Sequence, residues 1–68
     1  MTSDAERIAI AHVAQSLSAR FPNIAPTLVA RVVQETHDIY VNHPTREFVP
    51  ILVEDAARDR LRVIGSTW

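Results

Sequence analysis

Phe48-Val49-Pro50-Ile51-Leu52-Val53-Glu54-Asp55-Ala56-Ala57-Arg58-Asp59-Arg60-Leu61 decides the fold. Val49, Leu52, Val53, Ala56, Ala57, Leu61 and, further on, Ile64 recur at the three- and four-residue steps that set side chains on one helical face. Glu54 and Arg58, four apart and acid first, suit the opposite, solvated side. A helix with so apolar a face is held by packing and does not stand alone in water. The stretch therefore reads as the last helix of a bundle, and the chain before it must supply the cover.

The 68 residues make one small domain, with a hydrophobic fraction of 47% and one glycine, a folding composition. Such a domain buries only about 60% of its unfolded surface, so a staple is usual: a disulfide, a metal or another subunit. There is no cysteine, which removes disulfides and thiolate metal sites and leaves oligomerisation as the most available staple. Net charge is −1, with all seven basic residues arginine, which gives no electrostatic case for nucleic acid or an anionic membrane. Arginine suits interfacial ion pairs, but the codon bias of a GC-rich genome accounts for the missing lysine as well. No apolar run approaches the ~20 residues of a membrane span. The acidic N-terminus lacks a signal-peptide core, so a cytoplasmic location is expected.

Two further helices are predicted. Ser3-Asp4-Ala5-Glu6 fits a capping box and opens a helix over about 4–20, with Asp4 and Glu6 at the positive end of its dipole. Ile10, Val13, Ala14, Leu17 and Phe21 form its inner stripe. Its back face, Ile8, Ala11, His12, Gln15, Ser16 and Ala19, is small and uncharged: either a plain alanine-rich surface or a contact with a partner. Pro22 closes this helix, and Pro26 suits the first position of the next. Phe21 and Ile24 plug the end of the core. The second helix is expected over about 26–41, with Val29, Val32, Val33, Thr36 and Tyr40 inside. Leu28, Ala30, Ile39 and Val41 widen that stripe, and Arg31, Gln34, Glu35 and Asp38 are the wet strip. So broad an apolar cover makes it the expected central helix.

Asn42-His43-Pro44-Thr45 is a turn with Thr45 as N-cap, and the third helix is expected over about 46–63. Pro50 would be awkward five residues into it and could delay regular geometry to Val49 or Pro50. Gly65 is the expected stop. Trp68 frays or folds back onto the bundle. Arg60 falls within the apolar stripe; the favoured reading is a side chain reaching outward past the core, the other an ion pair with Glu35 or Asp38.

No catalytic constellation is legible. The serines lack a glycine-framed elbow and no glycine loop could cradle phosphate. His37 and His43 lack a zinc spacing, and His12 is placed on an outer face, so neither metal nor cofactor is expected. His37 borders an apolar stripe, where packing is its favoured role. A helix-turn-helix regulator of DNA is the competing class. Its candidate recognition helix, 46–62, balances four arginines with four acids, a poor match to phosphate.

Phe21-Pro22-Asn23-Ile24-Ala25-Pro26, then Val29 and Arg31-Val32-Val33, then Phe48-Val49-Pro50-Ile51-Leu52-Val53-Glu54, then Ala57-Arg58 and Arg60-Leu61-Arg62 carry a resemblance over roughly residues 8–62. The sequence resembles the three-helix-bundle dimerization domain, or phosphatase-like N-terminal domain. That domain precedes arsenate reductases and related proteins built like low-molecular-weight tyrosine phosphatases, and also stands alone. The resemblance implies a bundle that pairs with its own copy. It carries no catalysis here, because the family's catalytic cysteine belongs to a separate, later domain. The expectation is an all-α three-helix bundle acting as a homodimerization module, or as an adaptor for a separate arsenate reductase or phosphatase-like enzyme. Apolar and neutral groups outside the inner stripes, Ile8, Ala11, Gln15, Leu28, Ile39, Phe48 and Ile51, are the expected interface.

Overall fold

The computed structural model describes residues 4–67, with the side chains of Arg46 and Thr67 outside the description. The capping expected of Ser3 and the fate of Trp68 lie outside the described residues. The chain is an all-α bundle of α1 (Asp4–Arg20), α2 (Pro26–Ile39) and α3 (Val49–Thr67), with a 3₁₀ turn, Arg46–Phe48, leading into α3. Each helix packs on both others, and the two most extensive helix–helix contacts both involve α2. The Cα envelope is a rod of 35 × 17 × 14 Å.

The inner stripes meet largely as expected, although Leu52 and Ala56, placed on the inner face of the third helix, are only half-buried and stand outside the core. Ile10, Val13 and Leu17 of α1, Val29, Val32 and Val33 of α2, and Val49, Val53, Ala57 and Leu61 of α3 form one core, which Ile24 closes. Ala14, Phe21, Leu28, Tyr40 and Ile64 pack around it. Thr36 lies fully buried because its hydroxyl donates to the Val32 carbonyl at 2.7 Å, one turn back. Between α1 and α2, the Phe21 N–H closes α1 on the Leu17 carbonyl and the Ile24 N–H closes a turn on the Phe21 carbonyl, each at 3.0 Å. Pro26 then occupies the first turn of α2, where a missing N–H costs nothing.

Three boundaries differ from expectation. The second helix stops at Ile39, two residues short of 41. The Tyr40 and Val41 N–H groups bond three residues back, to His37 and Asp38, and this tightening ends the helix. The third helix, expected over about 46–63, becomes regular only at Val49, the delay expected of Pro50. The 3₁₀ turn takes up Arg46–Phe48, and α3 starts at Val49, which puts Pro50 in the first turn and removes the conflict its ring would have posed deeper in. Gly65 is not a stop: α3 runs through it to Thr67, with no positive φ there.

Gly65 lies against the α1–α2 connector. A Cβ at that position would stand 3.5 Å from Asn23 Nδ2 and 3.7 Å from Ile24 Cδ1, ordinary contact distances. Space therefore exists for a methyl group, and a glycine inside a helix costs about 0.5–1 kcal/mol relative to alanine. Gly65→Ala is expected to raise stability by about 0.5 kcal/mol, the lower part of that range because the position is near a helix end. Urea titration followed by circular dichroism measures it; a loss of stability would mean that the connector needs the bare backbone.

Candidate functional site

Antiparallel packing brings the start of α1 beside the end of α2. There the structure buries a carboxylate against an imidazole: Glu6 Oε2 lies 2.8 Å from His37 Nε2. Their side chains retain 7% and 8% of their exposure. Glu6 lies in the first turn of α1, as expected of it, and has a second role that the sequence reading did not give it. It stands four residues before Ile10 and so continues the inner stripe of α1 into the core. His37 stands four residues after Val33, in line with Val29, and meets it from α2. The sequence signal was present: an acid and a histidine each extend an apolar stripe, at the same end of the bundle.

Above this pair runs a groove of about 490 Å³ between α1 and α2, walled by Ile10, Ala11, Ala14, Ala30 and Val33, with Arg7, Gln34 and His37 as its polar members. Three alanines make the hollow, because methyl side chains cannot fill the space between the helices. A His–carboxylate pair can orient an imidazole for acid–base work. Among the described residues, however, none that lines the groove carries a hydroxyl or thiol on which such a base would act. The pair ties α1 to α2, which is the contact its geometry accounts for.

The other histidines are elsewhere. His12 is exposed on α1. His43 accepts from the Thr45 N–H through Nδ1 at 3.1 Å and tilts against the Tyr40 ring. Among the described residues no three His, Asp or Glu side chains converge as metal ligands would. No helix among them is long and apolar enough to cross a membrane. Arg60 is exposed, and among the described residues it makes no ion pair with Glu35 or Asp38. Arg58 pairs with Asp55 at 3.5 Å instead of the expected Glu54, three residues away and not four. Its Nε is buried without an acceptor.

Of the seven expected interface residues, six are exposed: Ile8, Ala11, Gln15, Ile39, Phe48 and Ile51. Leu28 is half-buried and packs against the core. The exposed ones do not share one location. Ala11 lines the α1–α2 groove. Ile39, Phe48 and Ile51, at 61%, 54% and 59% exposure, bracket the α2–α3 corner together with exposed Val41. Sequence reasoning passed over Val63 at 64%, on the solvent side of α3 near the other end.

Charge divides along the rod. The half built from residues 4–12 and 33–57 holds seven of the eight acids and only Arg7 and Arg46, a formal −5. The half built from residues 13–32 and 58–67 holds the other five arginines and Asp59, a formal +4. A net charge of −1 conceals this division, which appears only once the helices are folded back on one another. Comparison with family models, with curated protein sequences and with solved structures gives no match for this chain.

Proposed function

We propose that this chain is a non-catalytic self-association module, a homodimer in its working form. The observation that carries the reading is the apolar surface left outside the core: Ile39, Val41, Phe48 and Ile51 within one corner of thirteen residues, more than two-fifths of each exposed. Scattered single apolar residues are ordinary on a protein surface, whereas a local group of large ones marks a contact. A 68-residue domain without disulfides also gains from burying such a group against a second subunit. The resemblance to a dimerization domain points the same way.

Light scattering of the purified chain at micromolar concentration tests the reading, with a dimer mass expected and a monomer mass contrary to it. Ile51→Glu is expected to dissociate the dimer about tenfold or more, since a charge cannot be desolvated cheaply at a contact. Its helicity should be unchanged, because Ile51 lies outside the core. Helicity lost together with mass would place Ile51 in the folding unit instead.

The five arginines of the basic half favour one competing reading, a small DNA-binding regulator. Phosphate contacts would make its retention of DNA fall steeply with salt, so a mobility shift at low salt separates the two. An adaptor for a separate arsenate reductase or phosphatase-like enzyme would be found by co-purification with that enzyme.

A further inference from the structure

The exposed apolar corner is flanked by acids on both sides of its connector. On α2, Glu35 stands one turn before Ile39 and Asp38 stands beside it. Across the connector, Glu47 precedes Phe48, and Glu54 and Asp55 follow Ile51 by one turn of α3. Glu35, Asp38, Glu47 and Asp55 are exposed and Glu54 is half-buried. Residues 35–55 carry these five acids against Arg46 alone, a formal −4 with histidine neutral. Asp55 is partly offset by Arg58 at 3.5 Å, and Asp38 accepts from the Gln34 amide at 3.2 Å, a neutral donor. Among the described residues no ion pair reaches Glu35, Asp38, Glu47 or Glu54.

A second copy meets the centre and the rim of this corner differently. About a twofold axis the same patch serves both copies, so like faces like. Ile39, Val41, Phe48 and Ile51 of one copy lose water against the same four of the other, which favours the contact. The two sets of carboxylates are brought side by side, which opposes it. The basic halves do not cancel that repulsion. The rod is 35 Å long, so the centres of its two halves stand roughly half that length apart, beyond the Debye length of about 10 Å at 0.1 M salt.

We propose that this acidic rim makes the dimer conditional on ionic strength. Salt brings two copies together by screening Glu35, Asp38, Glu47 and Glu54, and in its absence the same carboxylates hold the copies apart. This inference rests on the self-association reading and adds to it how the contact is controlled. The sign is the opposite of that for an interface built on complementary charge, which salt loosens. The rim lies outside the core, so the control acts on assembly and leaves the fold of each subunit alone.

Sedimentation of the full chain in sodium chloride is the test. Between roughly 100 mM and 1 M salt the Debye length falls from about 10 Å to about 3 Å, and the parent dimer should tighten about tenfold. Glu35→Gln combined with Glu47→Gln removes two carboxylates from each rim and leaves the apolar corner untouched. This variant should dimerise about threefold or more tightly than the parent at the lower salt, with a flatter salt response. Both side chains are exposed, so its helicity should match that of the parent. Arg20→Gln, at the far end of the rod, also alters net charge and should leave the affinity within about twofold, because the effect belongs to the rim. A dimer that salt loosens or leaves unchanged overturns the conditional rim. So does a salt response of equal size in the parent and the glutamine variant, which would be general strengthening of apolar burial by salt. Each of these results leaves self-association standing. A monomer at both salt concentrations overturns the two readings together.

Discussion

Replacing His37 by leucine alone is expected to destabilise the protein by about 3 kcal/mol, whereas replacing Glu6 and His37 by leucine together should restore most of that loss. The asymmetry follows from burial. Glu6 and His37 are both more than nine-tenths enclosed and lie 2.8 Å apart. Taking away the imidazole deprives a buried carboxylate of its 2.8 Å contact, and the desolvation that the contact offset becomes a net cost. Taking away both removes the cost and leaves two apolar side chains where the stripes of α1 and α2 already run. A domain of this length has a total stability of roughly 3–10 kcal/mol. At the lower end of that range the single variant approaches half-unfolding, and the double variant does not. Chemical denaturation of the four members of the cycle, read by circular dichroism, gives the coupling directly. If His37→Leu costs less than about 1 kcal/mol, the first turn of α1 has swung Glu6 into water. The contact is then a surface latch, not part of the interior.

The pair also shows where the sequence was readable and where it was not. Periodicity located all three helices, because burial of a stripe is a repeated constraint to which many residues contribute. It placed Ile10, Val13 and Leu17 inside and His12 and Gln15 outside, and the structure agrees. Single residues with two physical uses were harder. Glu6 satisfies the dipole of a helix start and also falls in register with Ile10. The first use is local and visible in sequence; the second depends on α2 delivering His37 to the same level. Gly65 was similar. A glycine near a helix end reads as a left-handed stop, but the approach of Asn23 and Ile24 to α3 is a tertiary fact. Pro50 was resolved by a 3₁₀ turn that no pattern of apolar spacing announces. The division of charge between the halves was invisible for a different reason. Asp38 and Arg62 are ordinary helix-surface residues in the linear chain. Only the reversal of direction at each connector collects the acids at one end and the arginines at the other.

Leu61→Ala is expected to cost about 3 kcal/mol, in the range of 2–5 found for deleting a fully enclosed leucine. Leu61 has no exposed surface and, with Leu17, is one of the two largest side chains wholly inside. Both lie toward the end opposite the Glu6–His37 pair, where the apolar core must close against Ile24 without polar help. A cavity there has little means to collapse, since the three helices are already in mutual contact. The stability of the parent chain should also depend on protein concentration. If the folded chain is dimeric, assembly adds stability by mass action, and the midpoint of thermal unfolding rises as the solution is made more concentrated. Leu61→Ala should then lower the midpoint by a similar amount at every concentration, because it weakens the subunit and leaves the contact intact. Ile51→Glu should behave oppositely: little change in the dilute limit, and loss of the concentration dependence itself. Parallel melts of the two variants across a hundredfold range of concentration therefore separate what holds the subunit together from what holds two subunits to each other. Equal behaviour of both would mean that α3 cannot fold without its partner.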